Sequence, residues 1–312
     1  MSTNIPYLDE VWNLTRGCTK VSAGCKNCYA ERIGQRFLEV KAFDVDCPIT
    51  LANDDLIQKP LHWRKARRIG VCFMSDLFHE KVPDVFINQV MALIWRTGIP
   101  GCWTPRGNKW DPEDCPEEYR RVLPNHTYLI LTKRPERMRE YFADPERGEK
   151  IANVENDGPW DWETSLEEDG QWPIPNVWLG VSVEDQQAAD ERIPLLLETP
   201  AAHRWASAEP LLGAVDLHPG NWIAPLGGGP RVNLLHPEIA ITRPTLDWVV
   251  VGGESGPHAR AMNIDWLNNV GSQCESSGVL VYAKQDSGPR PGMQGRIPDA
   301  LWAVKQLPGG WA

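Results

Sequence analysis

VWLGVSVEDQQAADERIPLLL, residues 177–197, is the stretch whose reading decides the fold. It opens on five apolar residues with no polar alternation, 177–181, the pattern of a strand buried on both faces. Ser182 and Glu184 follow at once, and residues 184–197 then carry helical periodicity. Strand, polar end and helix make one βα unit, and strands covered on both faces are parallel strands.

The unit recurs in both directions. GVCFM (70–74) precedes a helical stretch at 83–95, which begins on a proline, and TYLIL (127–131) precedes another at 135–142. RWASA (204–208) is a weaker strand, WVVV (248–251) leads to a helix over 265–274, and VLVYA (279–283) stands near the end. Residues 11–14, before the cysteines, supply the first strand. About seven such repeats predict an α/β fold, a full or partial TIM-like (β/α) barrel, with an open doubly wound sheet as the alternative. The 312 residues suit one such domain over 1–312, since barrels run from roughly 200 to more than 400 residues. Stretches near 101–125, 144–175 and 217–245 are rich in Pro, Gly, Trp or acids without periodicity and read as inserted loops. Trp103, Trp110, Trp160, Trp162, Trp172 and Trp222 lie in them, placed either to pin the loops or to line a cleft.

In a barrel the carboxyl ends of the strands build the site, and every strand here delivers polar groups there. The first leads to a cysteine loop and the second to Ser75 and Asp76. The third leads to Thr132, Lys133 and Arg134, and the later ones to Ser182 and Glu184, Ser207 and Glu209, Glu254 and Ser255, and Lys284 and Gln285. GGESG (252–256) allows close backbone approach to a ligand, or simply makes a tight turn. Lys133, Arg134 and Lys284 suit an anionic substrate, the alternative being structural ion pairs with Glu209 or Glu254. His79 and His126 read as structural.

Composition bounds the function. With 42% hydrophobic and 24% charged residues the chain can bury a sizeable core. No run approaches the ~18 apolar residues of a membrane span, and residues 1–10 lack a signal-peptide layout, so no membrane and a cytoplasmic location are expected. In that reducing compartment eight cysteines are no disulfide framework, and clustered ones point to metal or catalysis. A net charge of −10 argues against coating nucleic acid by bulk attraction. Residues 59–68 (KPLHWRKARR) are a local exception, read as a solvated helix end before a strand or as a phosphate contact, whereas 153–191 holds no Lys or Arg.

GCTKVSAGCKNCY (17–29) places Cys18, Cys25 and Cys28 in a C-x6-C-x2-C array. Thiolates in this density are iron–sulfur ligands, and three of them leave one iron of a four-iron cluster open. A zinc site completed by a distant His or Cys is the alternative, but zinc sites come as paired knuckles, and Cys47, Cys72, Cys102, Cys115 and Cys274 are scattered singly. Tyr29 is placed to pack over the cluster.

WNLTRGCTKVSAGCKNCYAER (12–32), MSDLFHEKVP (74–83), LTKRPERM (131–138), residues 177–202, SAEPLLGAVDL (207–217) and WVVVGGESGP (248–257) resemble a phage and bacterial family of unknown function named for its three-cysteine motif and described as radical SAM-like. The CxxCYA ending is similar to the cluster loop of spore photoproduct lyases. The resemblance runs from about residue 12 to 285 and implies a barrel of the radical SAM type. It implies a 4Fe-4S cluster on Cys18, Cys25 and Cys28 whose open iron chelates S-adenosylmethionine, cleaved after reduction to methionine and a 5′-deoxyadenosyl radical. An electron donor is then a required partner. Ser75 and Asp76 would meet the methionine amino group, Ser182 and Glu184 its carboxylate or the ribose, with Glu209, Gly252, Gly253 and Glu254 completing the cofactor site. The expected substrate is a small molecule or nucleotide, with a DNA base, and so nucleic acid, admitted. The first cysteine gap departs from the C-x3-C-x2-C of most radical SAM enzymes. The rival from another class is a zinc-stabilised, non-redox binding protein.

Overall fold

The computed structural model describes residues 3–37, 39–98, 102–103, 109–110, 125–155, 172–217 and 244–309. In chain order these form β1 Glu10–Trp12, β2 Thr15–Arg16, α1 Tyr29–Phe37, β3 Thr50–Leu51, α2 Asp54–Ile57, β4 Arg68–Val71, α3 Asp84–Arg96, β5 Cys102–Trp103, β6 Lys109–Trp110, β7 Thr127–Thr132, α4 Pro135–Ala143, α5 Arg147–Ala152, β8 Val177–Ser182, α6 Gln186–Glu198, β9 His203–Ala208, β10 Trp248–Gly252, α7 Ile264–Ser276, β11 Leu280–Gln285 and α8 Asp299–Trp302. Seven strands join one sheet in the order β1-β4-β7-β8-β9-β10-β11, while β2-β3 and β5-β6 make two-stranded pairs. Each successive sheet strand lies beside its predecessor with no reversal, which is how a (β/α) barrel winds and not how a doubly wound sheet does. The registers are parallel, Glu10 opposite Ile69, Arg68 opposite Thr127 and Trp248 opposite both Trp205 and Leu280.

Two compact units divide the chain. The first comprises Met1–Val21, Cys28–Leu179 and Pro200–His203. Its core packs Trp12 against Tyr128, ring centroids 5.9 Å apart, under the buried face of α3, whose Ile87, Met91 and Ile94 recur at helical spacing. The second comprises Ser22–Asn27, Gly180–Thr199 and Arg204–Ala312, with the Trp205 and Trp248 rings tilted against each other at 5.5 Å and α7 burying Leu267, Val270 and Cys274. Helix starts follow local chemistry. The Asp185 side chain accepts from Ala188 N at 2.9 Å to cap α6, and Asn263 caps α7 through Asp265 N.

The second expected strand, 70–74, is shifted: β4 covers Arg68–Val71 and stops because Cys72 takes φ +56 while donating its N–H to Trp12 O. The stretch 144–175, read as a loop, contains the helix α5. The basic run 59–68 forms a 3-10 turn, Lys59–His62, before β4, and its last two cations are paired, Arg67 to Glu10 and Arg68 to Asp9. Most of the loops expected near 101–125, 144–175 and 217–245 lies outside the described residues, as do Cys115, Trp160, Trp162, Trp222 and the side chains of Cys102, Trp103 and Trp110. No helix among the described residues is long and apolar enough to cross a membrane.

Candidate functional site

In the first unit the chain leaves β4 and β7 into a buried polar network that reaches Cys18. Asp76, 4% exposed, accepts from Thr132 Oγ1 at 2.8 and 3.0 Å, from Lys133 N at 3.1 Å and from Phe78 N at 3.0 Å. Arg134 lies against it, Nη1 to Asp76 Oδ2 3.1 Å, and donates through Nε to Glu80 at 2.9 Å. The same guanidinium donates to Thr19 O and Oγ1 at 3.2 and 2.7 Å and to Cys18 Sγ at 3.8 Å. Burial alone would make Arg134 easier to deprotonate, but Asp76, Cys18 and Glu80 outweigh it and hold the cation charged. His79 Nδ1 accepts from Lys81 N, so Nε2 carries the proton and donates to Thr19 Oγ1 at 3.1 Å. Burial, with Arg134 nearby, pushes the His79 pKa down and keeps that ring neutral.

Cys28 opens onto α1, and Cys18 and Cys28 both pack against one small cluster of Ala30, Phe43 and the fully buried Cys47. Tyr29, half exposed, donates its hydroxyl to Phe73 O at 2.7 Å. Ser75 bonds Thr15 O at 3.0 Å. None of the six described cysteines, Cys18, Cys25, Cys28, Cys47, Cys72 and Cys274, is in a disulfide.

The second unit contains the loop Ser22–Asn27 that bears Cys25, and two strand-end carboxylates hold it. Ser22 Oγ donates to Glu184 Oε1 at 2.6 Å, with Glu184 itself locked by Arg192 Nη1 at 2.9 Å. Gly24 lies so close that a Cβ there would strike Glu184 Oε1. Asn27 Nδ2 donates to Glu254 Oε2 at 2.9 Å and to His258 O at 2.8 Å, and Arg260 clamps Glu254 through both Nε and Nη2, at 3.0 and 2.6 Å. Burial would raise the Glu254 pKa, but the Arg260 and Asn27 bonds prevail and lower it, keeping the carboxylate ionised. At the ends of β9 and β11, Lys284 Nζ and Glu209 Oε2 pair at 2.7 Å. Gly252 makes room for that pair, since its missing Cβ would sit 3.2 Å from Glu209 Oε1. Ser182 is buried with its carbonyl accepting from Arg192 Nη1 at 2.7 Å, and Gly253 closes on Ser287.

The structure thus brings Asp76, Arg134 and Cys18 into one network, and Glu184 and Glu254 onto the Cys25 loop, while Lys284 takes the ion-pair alternative with Glu209. Lys133 contributes its backbone N–H to Asp76. Among the described residues no group of three or more His, Cys, Asp or Glu side chains is arranged to hold a metal ion. Sequence reasoning missed Thr19, Ser22, Asn27, Arg192 and Arg260. Arg192 had a visible signal, because it falls among Ala188, Ala189, Ile193 and Leu196 on the buried face of α6, where a cation requires a partner.

Fold and site define an α/β protein whose sheet strands follow one another as in a (β/α) barrel, with a cysteine loop tied to strand-end charges. A family model described as "Protein of unknown function (DUF5131)" matches residues 2–99 and 118–296, and the chain belongs to that family. No curated protein and no solved structure matches it.

Proposed function

We propose that this protein is a radical S-adenosylmethionine enzyme whose iron–sulfur cluster is held by Cys18, Cys25 and Cys28. The observation that carries the reading is that buried, ion-paired side chains anchor the C-x6-C-x2-C segment at Cys18 and within both of its gaps. Arg134 holds Cys18 and Thr19, and Glu184 and Glu254 hold Ser22 and Asn27. Buried charges are costly to strand, so a loop tied to them is held in one arrangement, as a set of fixed thiolate ligands requires. The donor chemistry fits such a group: three half-buried thiols outside any disulfide, one of them beside a permanent cation.

When bound, a 4Fe-4S cluster would supply the electron that splits S-adenosylmethionine into methionine and a 5′-deoxyadenosyl radical. The chain's own part is to bind and orient. Glu209 and Lys284 offer an opposite-charge pair matched to an α-ammonium and an α-carboxylate. The substrate is proposed as a nucleotide or small molecule, with a nucleic-acid base included.

Anaerobic purification and reconstitution test the reading. Wild type should carry about four irons and four labile sulfides per chain, and Cys18→Ala, Cys25→Ala or Cys28→Ala should lose them while Cys274→Ala does not. Dithionite-reduced protein should release 5′-deoxyadenosine from S-adenosylmethionine. Stoichiometric zinc without labile sulfide would replace this reading with that of a zinc-stabilised binding protein.

A further inference from the structure

Arg134 is a permanent cation that meets Cys18 of the C-x6-C-x2-C array. A guanidinium has five N–H donors in a fixed planar fork. Here five acceptors meet them: Glu80 Oε2, Asp76 Oδ2, Cys18 Sγ, Thr19 O and Thr19 Oγ1. With the side chain only 10% exposed, no donor is left over for an anionic substrate. Three of the five acceptors belong to the cysteine loop and two to carboxylates. Of those carboxylates, Asp76 is itself fixed by Thr132 and by the N–H groups of Phe78 and Lys133. Thr19 Oγ1 accepts from both Arg134 and His79 Nε2 and donates to Glu80, so the loop residue next to Cys18 has its hydroxyl fully committed.

We propose that Arg134 is a positioning residue for Cys18: its fork fixes the loop at Thr19 and directs an N–H···S hydrogen bond at the Cys18 sulfur. When that sulfur is a cluster ligand, the bond and the charge behind it withdraw electron density and favour the reduced cluster. The inference rests on the cluster reading above. Hydrogen bonds to ligand sulfur are among the levers by which a protein sets cluster potential. Lysine keeps the charge but cannot reproduce the fork, and glutamine keeps neither the charge nor the full donor set.

The test compares reconstituted wild type, R134K and R134Q by iron content and by the cluster's midpoint potential, followed through its visible absorbance in an anaerobic dithionite titration. R134Q should shift the potential to more negative values, with R134K between it and wild type. A merely structural Arg134 would alter iron content or stability without moving the potential of whatever cluster is bound. If R134Q leaves Asp76 unpaired and fails to fold, D76N/R134Q removes both buried charges together and carries the measurement. An unchanged potential at full iron content in R134Q or D76N/R134Q overturns the inference and leaves the cluster reading standing. Wild type that takes up no iron and sulfide overturns both.

Discussion

Glu184 and Arg192 form an ion pair whose side chains are 2% and 7% exposed, so neither charge can be stranded without cost. Glu184→Ala leaves Arg192 buried without its carboxylate, bonded to Ser182 O at 2.7 Å, and should lower stability by about 3–5 kcal/mol, read as a fall in the urea midpoint with the slope unchanged. Glu184→Gln keeps the shape and an acceptor for Ser22, and should cost less. His126 is a second residue whose protonation matters. It is fully buried, accepts from Arg67 N at Nδ1 and donates from Nε2 to Pro60 O, so only the neutral ring fits. Burial lowers its pKa to about 4 from the ordinary 6.5. The unfolded chain therefore binds the proton first as pH falls, and stability present above pH 6.5 is lost as pH descends toward 4. At 1.36 kcal/mol per pKa unit the loss approaches about 3 kcal/mol, and His126→Gln should flatten that part of the stability profile measured by urea denaturation across pH. A variant that keeps the full slope would assign it to other groups.

Elements with a wide apolar face were legible in the sequence and those held by polar contacts were not. α3, α6 and α7 bury periodic apolar residues, and β7, β8 and β10 are continuous apolar runs, so their signals were local. α1 buries only Ala30 and Gly34, which leaves no apolar stripe to read. α5 is six residues long and is held by Arg147, which donates to Tyr141 O at 2.8 Å, Asn88 Oδ1 at 2.9 Å and Asp84 Oδ2 at 3.0 Å. Arg147→Ala should melt α5 while sparing α3, seen as faster hydrogen exchange over 147–152 with protection retained at 87–94. The Ser22–Asn27 loop is constrained at Gly24. Gly24→Ala places a methyl on Glu184 Oε1, and the overpacking should cost about 1–3 kcal/mol and impair iron retention more than it impairs folding. Iron retained at wild-type level by a folded Gly24→Ala protein would mean that the close approach to Glu184 has no bearing on Cys25.

Over the whole chain, the strand ends were recognisable as a set, but their partners were not, because pairing is a matter of tertiary distance. Arg260 lies six residues from Glu254 and Asn27 lies 227 residues from it, yet both bond the same carboxylate oxygen, at 3.0 and 2.9 Å. The charge balance, by contrast, could be counted directly, and it bears on nucleic acid as a partner. The net charge is −10, and within the one basic run Arg67 is paired to Glu10 at 2.8 Å and Arg68 to Asp9 at 3.0 Å. Lys59 and Arg67 also flank the Trp63 ring, at 5.6 and 5.1 Å from its centroid. Cations engaged in this way release few counterions from a phosphate backbone, and the surrounding negative field opposes approach. A duplex of arbitrary sequence should therefore show no binding by fluorescence anisotropy at about 10 μM protein and about 150 mM salt, where non-specific binders with dissociation constants of about 10⁻⁴ to 10⁻⁶ M begin to register. Micromolar binding that weakens by about 10³ or more between about 50 and 200 mM salt would point to a basic face beyond these paired cations, and would make bulk duplex DNA the first substrate to test. A nucleotide bound at a local site instead should give a shallow salt slope, set by the one or two phosphates it carries.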